Sequence, residues 1–448
     1  MKMKKRLIAM LLLSALTLGA LTGCGSGSST ASAASGSSSS DGSDAAVSDG
    51  AVEVEFWYAG GKTAVNVVQE IVDEFNASQD AYYVTTVTQA DYTETYEKLQ
   101  AAIAGSVAPD LVLLGTSTAR VLSDKNVLTD LTTYTEADEE YDRSKYIDAF
   151  FQGEDDNGKL FAIPAYGTTQ VLYYNIEAFE TAGIDPESIE TWQDLADAAQ
   201  KIKDAGYDYG WEPMYGYQNL IDIAMSNGAS VFSEDGTQVT INSEEWVEAW
   251  EAIRTWIHDD EIMTVHSGGQ GWEYWYTTMD DALNGVAGGY TGSSGDQADL
   301  DFSVVAAIEQ PAFDEDSESA PLAEALVLSV LESSGDAEKQ GAYEFMKYFT
   351  STSSQTKWTM ATGYVPVRTD MDEDADYQAY VAENPQAAVP VAQATHGSIY
   401  PYDPTGGEII DALSIAADKV ELEGISAQEA LDEAQATAQA ALDEALGQ

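Results

Sequence analysis

Val52-Glu53-Val54-Glu55-Phe56-Trp57-Tyr58 and the fifteen residues 63–77 just behind it set the fold class. The first piece reads as a strand; the second sets Val67, Ile71 and Phe75 at four-residue steps and reads as an amphipathic helix. Residues 82–88 read as a strand and 93–104 as a helix. Pro109-Asp110-Leu111-Val112-Leu113-Leu114-Gly115 is a short apolar run of the kind buried in parallel sheets. Strand, helix, strand, helix, strand predicts an α/β chain built on a doubly wound open sheet. Ligands of such sheets lie beyond the carboxyl ends of the strands, which directs attention to Trp57-Tyr58 and Gly115-Thr116-Ser117. If Trp57 is a core residue, alternation turns Tyr58 towards the site, so Tyr58 and Thr116 are the expected contacts here.

Downstream, Asp156-Asn157-Gly158 is a tight turn leading into Lys159-Leu160-Phe161-Ala162-Ile163-Pro164, and Val171-Leu172-Tyr173-Tyr174 reads as a further strand. Thr191 with Asp194 forms a capping-box start for a helix reaching Lys203. Asn242 with Glu245 is expected to cap 244–258, where Trp246, Trp250, Ile253 and Ile257 share a face and read as core. Residues 426–446 predict a last helix rich in Ala, Glu, Asp and Gln.

The amino terminus fixes the compartment. Lys2, Lys4, Lys5 and Arg6 precede an apolar run and then Leu21-Thr22-Gly23-Cys24, a secretory signal whose Cys at the cut marks lipid attachment. Residues 1–23 are read as the signal peptide, with Cys24 the lipidated first residue of the mature chain. The run is about 12 residues, short of the roughly 20 that a spanning helix needs. Residues 24–50, nearly all Ser, Gly, Ala and Asp, read as a tether whose root-mean-square span is about 25–30 Å. Cys24 is the one cysteine of the chain, so disulfides and thiolate metal sites are excluded. A formal net charge of −58 excludes nucleic-acid and anionic-lipid partners, which require basic stripes.

Chemistry-bearing patterns are few. Gly292-Ser293-Ser294-Gly295 lacks the spacing of a nucleophile elbow, and His258 and His266 are not spaced as metal ligands on one helix. The acidic run 370–376 has Ala375 where a calcium loop needs glycine. Neither a catalytic centre, a metal nor a cofactor is expected. Aromatic platforms and neutral hydroxyls are what a neutral sugar requires, and Trp211, in the loop context Gly210-Trp211-Glu212-Pro213, is expected to be such a platform, beside Tyr364 and with Trp272 and Trp275 as weaker candidates.

One ordered set of motifs carries a resemblance. The lipobox, Trp57, Ala108-Pro109-Asp110, Phe161-Ala162-Ile163-Pro164, Tyr173-Tyr174-Asn175, Thr191-Trp192-Gln193-Asp194-Leu195 and Thr362-Gly363-Tyr364-Val365-Pro366-Val367 resemble, in this order, the family 1 extracellular solute-binding proteins. These are the sugar-capturing lipoproteins of ABC importers. Within them the chain looks most like the glycerol-3-phosphate-binding branch, through Gly363-Tyr364-Val365-Pro366-Val367 and Thr291-Gly292-Ser293-Ser294-Gly295. The resemblance implies a two-lobe periplasmic-binding-protein fold of type II, closing on its ligand. Its lobes are expected at 51–166 with 309–335, and at 167–308 with 336–448, with chain crossings near Tyr166-Gly167-Thr168, Glu309-Gln310-Pro311 and Gly335. It places ligand contacts on Tyr92, Thr168, Ser293 or Ser294, and Tyr364. Two departures stand out: Gly115-Thr116 replaces the branch's carboxylate, and 400–407 holds no arginine for a phosphate. The implied function is capture of a neutral sugar, oligosaccharide or polyol by a monomeric receptor on the outer face of a Gram-positive-type membrane, for delivery to ABC permease subunits. Glycerol-3-phosphate or a glycerophosphodiester is the alternative ligand class, and a surface glycoside hydrolase the alternative activity.

Overall fold

The structure, a computed structural model, describes residues 50–155, 157–269, 273–399 and 401–447. The residues read as a signal peptide, Cys24, nearly all of those read as a tether, Trp272 and Tyr400 lie outside the described residues. Strands β1 (Val52–Ala59), β2 (Tyr82–Gln89) and β3 (Leu111–Gly115) alternate with helices α1 (Lys62–Ser78), α2 (Tyr92–Gly105) and α3 (Thr116–Asp124). β1 pairs in parallel with β2 along its whole length and with β3 at Phe56 and Trp57, the order 2-1-3 of a doubly wound sheet. Parity in β1 is set by Glu53 and Glu55, which are exposed; Val54, Phe56 and Tyr58 therefore point into the core, at 0%, 0% and 1% exposure.

The sheet continues through two long strands. β4 (Ile163–Asn175) merges the two runs expected separately at 159–164 and 171–174. Beyond it come β5 (Gly289–Ser293), β6 (Val305–Ile308), β7 (Leu322–Val330) and β8 (Ser398–Ile399). β7 lies antiparallel between β3 and β4, while the far end of β4 pairs with β5 and β6. The β4–β7 register shifts between Pro164 and Tyr166, where the proline has no N–H for the ladder.

Apolar side chains gather in two large buried clusters and one small one. The first joins β1–β3 and α1 to the amino-terminal half of β4, to Ala323–Leu331, and to helices Asp336–Phe349 and Thr352–Thr362. The second is built from helices Trp192–Ala205, Tyr217–Ser226, Glu244–His258, Glu408–Glu421 and Ala427–Ala445. Val171, Tyr173 and Tyr290 belong to the third, with Met214, Met279 and Ala282.

The chain thus passes between the large clusters within β4, again at Leu322/Ala323 in β7, and a third time between Ala394 and Ile409. Only the first passage coincides with an expected crossing. Gln310 stays beside the second cluster, donating to Gln170 O and Asp222. Gly335 is the N-cap of a helix whose Tyr343, Phe345, Met346 and Phe349 fill the first cluster, so 336–367 does not pack with the second. Glycine and proline marked turns there, and a turn need not change lobes.

Local signals placed the helix ends. The capping box at Thr191 forms in both directions, with Asp194 N donating to Thr191 Oγ1 at 3.1 Å and Thr191 N to Asp194 Oδ2 at 2.9 Å. Helix Glu244–His258 has Ser243, not Asn242, as its N-cap; Asn242 instead donates to Asp432 on the last helix. Trp246 and Trp250 are buried, as their spacing predicts.

Candidate ligand-binding site

β4 and β7 cross from one cluster to the other side by side, and their register sets Thr168 opposite Glu324 and Tyr166 opposite Leu326. Directly paired residues share a sheet face. That face collects polar groups from both sides. Thr116, at the start of α3, leans on it by donating Oγ1 to Ala325 O at 2.9 Å, which commits this hydroxyl to the backbone.

On the first-cluster side stand three tyrosines. The Tyr92 and Tyr166 hydroxyls are 2.8 Å apart. The Tyr364 ring lies 5.0 Å from Tyr166 and stacks at 18° with Trp358. Tyr92 is 41% exposed although its hydroxyl end is enclosed. Burial raises the phenol pKa of all three, so each presents a neutral hydroxyl near neutral pH.

On the other side β5 ends at Ser293, whose side chain caps the short helix Ser294–Ala298 by accepting from Gly295 N at 3.1 Å. The Thr168 hydroxyl lies 3.1 Å from Ser293 Oγ and 3.4 Å from Ser294 Oγ. Gly363, at φ +77°, sets the Tyr364 turn directly on this helix: a Cβ there would sit 2.8 Å from Gln297 Cβ and 2.9 Å from Ser294 O. Gly295 in turn lies under the Tyr364 ring, where a Cβ would come within 2.8 Å. Next along the chain, the buried Asp296 accepts from Trp275 Nε1 at 2.9 Å and from the Tyr290 hydroxyl at 3.2 Å, and burial pushes its pKa up to about 7.

Tyr92, Thr168, Ser293, Ser294 and Tyr364 therefore lie in one neighbourhood, with Tyr166 and Asp296. Tyr58 and Trp211 do not join them. Tyr58 stacks on Phe56 inside the first cluster, because the exposed glutamates of β1 fix the opposite parity from the one expected. Trp211 is fully buried in the second cluster, with Nε1 donating to Thr291 Oγ1 at 3.1 Å. Its loop-like sequence hides two backbone bridges, Trp211 to Met263 and Glu212 to Tyr290, that make it part of the sheet edge.

Sequence reasoning missed Glu324. Its carboxylate makes no hydrogen bond among the described residues, and burial raises its pKa. The signal was a lone acid in the otherwise apolar run Leu322-Ala323-Glu324-Ala325-Leu326-Val327-Leu328. Tyr276, 55% exposed on helix Glu273–Leu283 and near enough to act electrostatically on the Tyr364 phenol, was also overlooked.

The profile of the family described as "Bacterial extracellular solute-binding protein" matches residues 70–386. The sn-glycerol-3-phosphate-binding periplasmic protein UgpB of Yersinia pestis is 26% identical over 367 residues, covering 78% of this chain and 82% of its own. Among solved structures, the cyclic alpha-maltosyl-1,6-maltose binding protein of Arthrobacter globiformis superposes with a TM-score of 0.75 at 22% identity, over 88% of this chain and all of that one. UgpB of Mycobacterium tuberculosis, solved in complex with glycerophosphocholine, gives 0.75 at 21% identity, over 89% of this chain and 100% of that one. Superpositions of this extent establish the two-lobe periplasmic-binding fold.

Proposed function

The chain belongs to the bacterial extracellular solute-binding proteins, and from that premise we propose that it captures a carbohydrate between its two lobes and hands it to the permease of an ABC importer. The observation that carries the ligand class is the make-up of the site. Tyr92, Tyr166, Thr168, Ser293 and Tyr364 offer neutral hydroxyls and aromatic faces. Glu324 offers a carboxylate in want of donors, and among the described residues no Lys or Arg is paired with any of these six. A sugar supplies hydroxyl donors and apolar C–H faces to match. The similarity to glycerol-3-phosphate-binding relatives favours a glycerophospho ligand instead. Glycerol-3-phosphate, a dianion, is electrostatically the poorer fit beside Glu324 and Asp296 without a cation to receive it; a zwitterionic glycerophosphodiester carries its own cation and is left to the binding screen.

β4, β7 and the 394–409 passage serve in this reading as the hinge, and the lobes close around the Thr168–Glu324 face. A thermal-shift screen of mono- and oligosaccharides, polyols, glycerol-3-phosphate and glycerophosphocholine tests the reading. A ligand at 100 times its Kd should add about 2.7 kcal/mol of stability. Small-angle scattering should show the radius of gyration fall on binding, and affinity should barely change with salt. Tightest binding of glycerophosphocholine with a steep salt dependence would transfer the protein to the phosphate-binding class. Release of reducing ends from an oligosaccharide would make it a glycoside hydrolase.

The lipid anchor at Cys24 belongs to the same proposal and is carried by Leu21-Thr22-Gly23-Cys24 behind a basic and apolar amino terminus; among the described residues no helix is long and apolar enough to cross a membrane. Cys24→Ser is expected to abolish incorporation of labelled fatty acid and release a folded protein to the medium. Undiminished labelling of that variant would disprove the anchor.

A further inference from the structure

Three side chains remote in sequence, Glu212, His266 and Asp281, meet beside the edge strand β5, near Tyr290. His266 Nε2 lies 2.9 Å from Asp281 Oδ2 and 3.5 Å from Glu212 Oε1, and the three donor atoms all fall within 4.8 Å of one another. Alternation explains the arrangement. Trp211 fills the second cluster, so Glu212, bridged to Tyr290 at the sheet edge, turns to the opposite side, where helix Glu273–Leu283 brings Asp281. The segment paired through Met263 carries His266 to the same point.

Glu212 is the odd member. It is 0% exposed, and neither carboxylate oxygen has a hydrogen-bond donor. A buried carboxylate without donors is costly, and a second carboxylate beside it makes matters worse. The one imidazole proton within reach can serve only one of the two acids. Burial first, and Asp281 second, push the Glu212 carboxyl up to about 9.

We propose that Glu212, His266 and Asp281 form a binding site for a divalent cation of the zinc type, which fastens the 212 and 263–266 segments to helix Glu273–Leu283. Two carboxylates neutralise the ion and the neutral imidazole completes a mixed oxygen–nitrogen set. Donors at about 2.0–2.2 Å from a tetrahedral ion stand about 3.3–3.6 Å apart, a spacing that the 3.5 Å from His266 to Glu212 meets and that the 2.9 Å from His266 to Asp281 reaches by opening about half an ångström. Calcium, which takes six to eight oxygens, is poorly served by three donors of which one is nitrogen. The spacing of histidines in the sequence gave no hint of a site, because its ligands come from a sheet edge, a loop and a helix. The site also has a reach beyond itself. The same helix carries Trp275, bonded to Asp296, and Tyr276, so an ion on Asp281 stiffens one wall of the ligand site.

The test uses the whole soluble protein stripped with chelator, then titrated with zinc chloride, with manganese and calcium chlorides as comparators. About one zinc per chain should survive desalting, as read by elemental analysis, and the melting temperature should rise until one equivalent is bound. His266→Gln, at a half-buried position, and Asp281→Asn should each weaken zinc retention at least 100-fold. Glu212→Gln should raise the melting temperature of the metal-free protein and remove the zinc response. A wild-type protein that neither retains zinc nor shifts its melting temperature overturns the proposal. So does retention that is equal in the three variants, which would mark diffuse binding to an acidic surface.

Discussion

Trp211→Ala is expected to destabilise the protein by about 3–5 kcal/mol, the cost of a large cavity where a buried aromatic was removed. In a lobe of this size that lowers the melting temperature by on the order of 10 °C. The indole is enclosed on every side. Its Nε1 bonds Thr291, and Gly289 presses on its six-membered ring so closely that a Cβ there would sit 2.3 Å from Cζ3 and 2.5 Å from Tyr173 O. Truncation therefore leaves the Thr291 hydroxyl without its donor as well as a void. Ligand affinity of the molecules that remain folded should change little, because Trp211 does not border the Thr168–Glu324 face. Thermal unfolding and calorimetric titration of the same sample separate the two effects. An unchanged melting temperature with binding lost would return Trp211 to the site.

That residue also shows where sequence reading stops. Local periodicity carried the first three strands and the helices between them, since each is a run whose apolar residues recur at a fixed step. Helix Glu244–His258 and the capping box at Thr191 were legible for the same reason. Trp211 was not, because what buries it is a pairing with residues some 50 and 80 positions away, and two residues between a glycine and a proline carry no period. Tyr58 was misread although its neighbours fix the parity: two glutamates at odd positions outweigh one tryptophan. The lobe crossings failed differently, since 336–367 returns to the first cluster through tertiary packing that no local signal records. In the site, Thr168, Ser293 and Tyr364 came from motif resemblance, whereas Glu324 needed only the question of why an acid interrupts an apolar strand. The Glu212–His266–Asp281 group was beyond reach in sequence, its spacings of 54 and 15 residues matching no ligand motif.

Glu324→Gln is expected to weaken ligand binding roughly 10- to 100-fold and to flatten its pH dependence. The side chain keeps its shape, but one acceptor oxygen becomes a donor and the charge is lost. A hydrogen bond to a charged partner contributes about 1.5–3 kcal/mol, which sets the range. The sign of the pH effect follows from burial, which raises the Glu324 pKa in the free protein. Sugar hydroxyls donate to the ionised carboxylate, so binding must lower that pKa again. Affinity is then fully present above the raised free-state value and falls as pH drops from there towards the bound-state value, by up to tenfold per pH unit. Stability without ligand runs the other way, declining as pH rises from the ordinary carboxylate range to the raised value of the free protein, because ionising a partly buried carboxylate costs free energy. Asp222 stands nearby with its pKa pushed up to about 7, but Gln170, Gln310 and the Leu322 N–H already satisfy it. Its titration, and that of Asp296, remain in the Glu324→Gln protein and supply the baseline to subtract. Calorimetric titration of wild type and variant between pH 4.5 and 8 reads the difference. A variant that binds as tightly as wild type, with the same slope in pH, removes Glu324 from the site and leaves hydroxyls and aromatic faces to carry recognition alone.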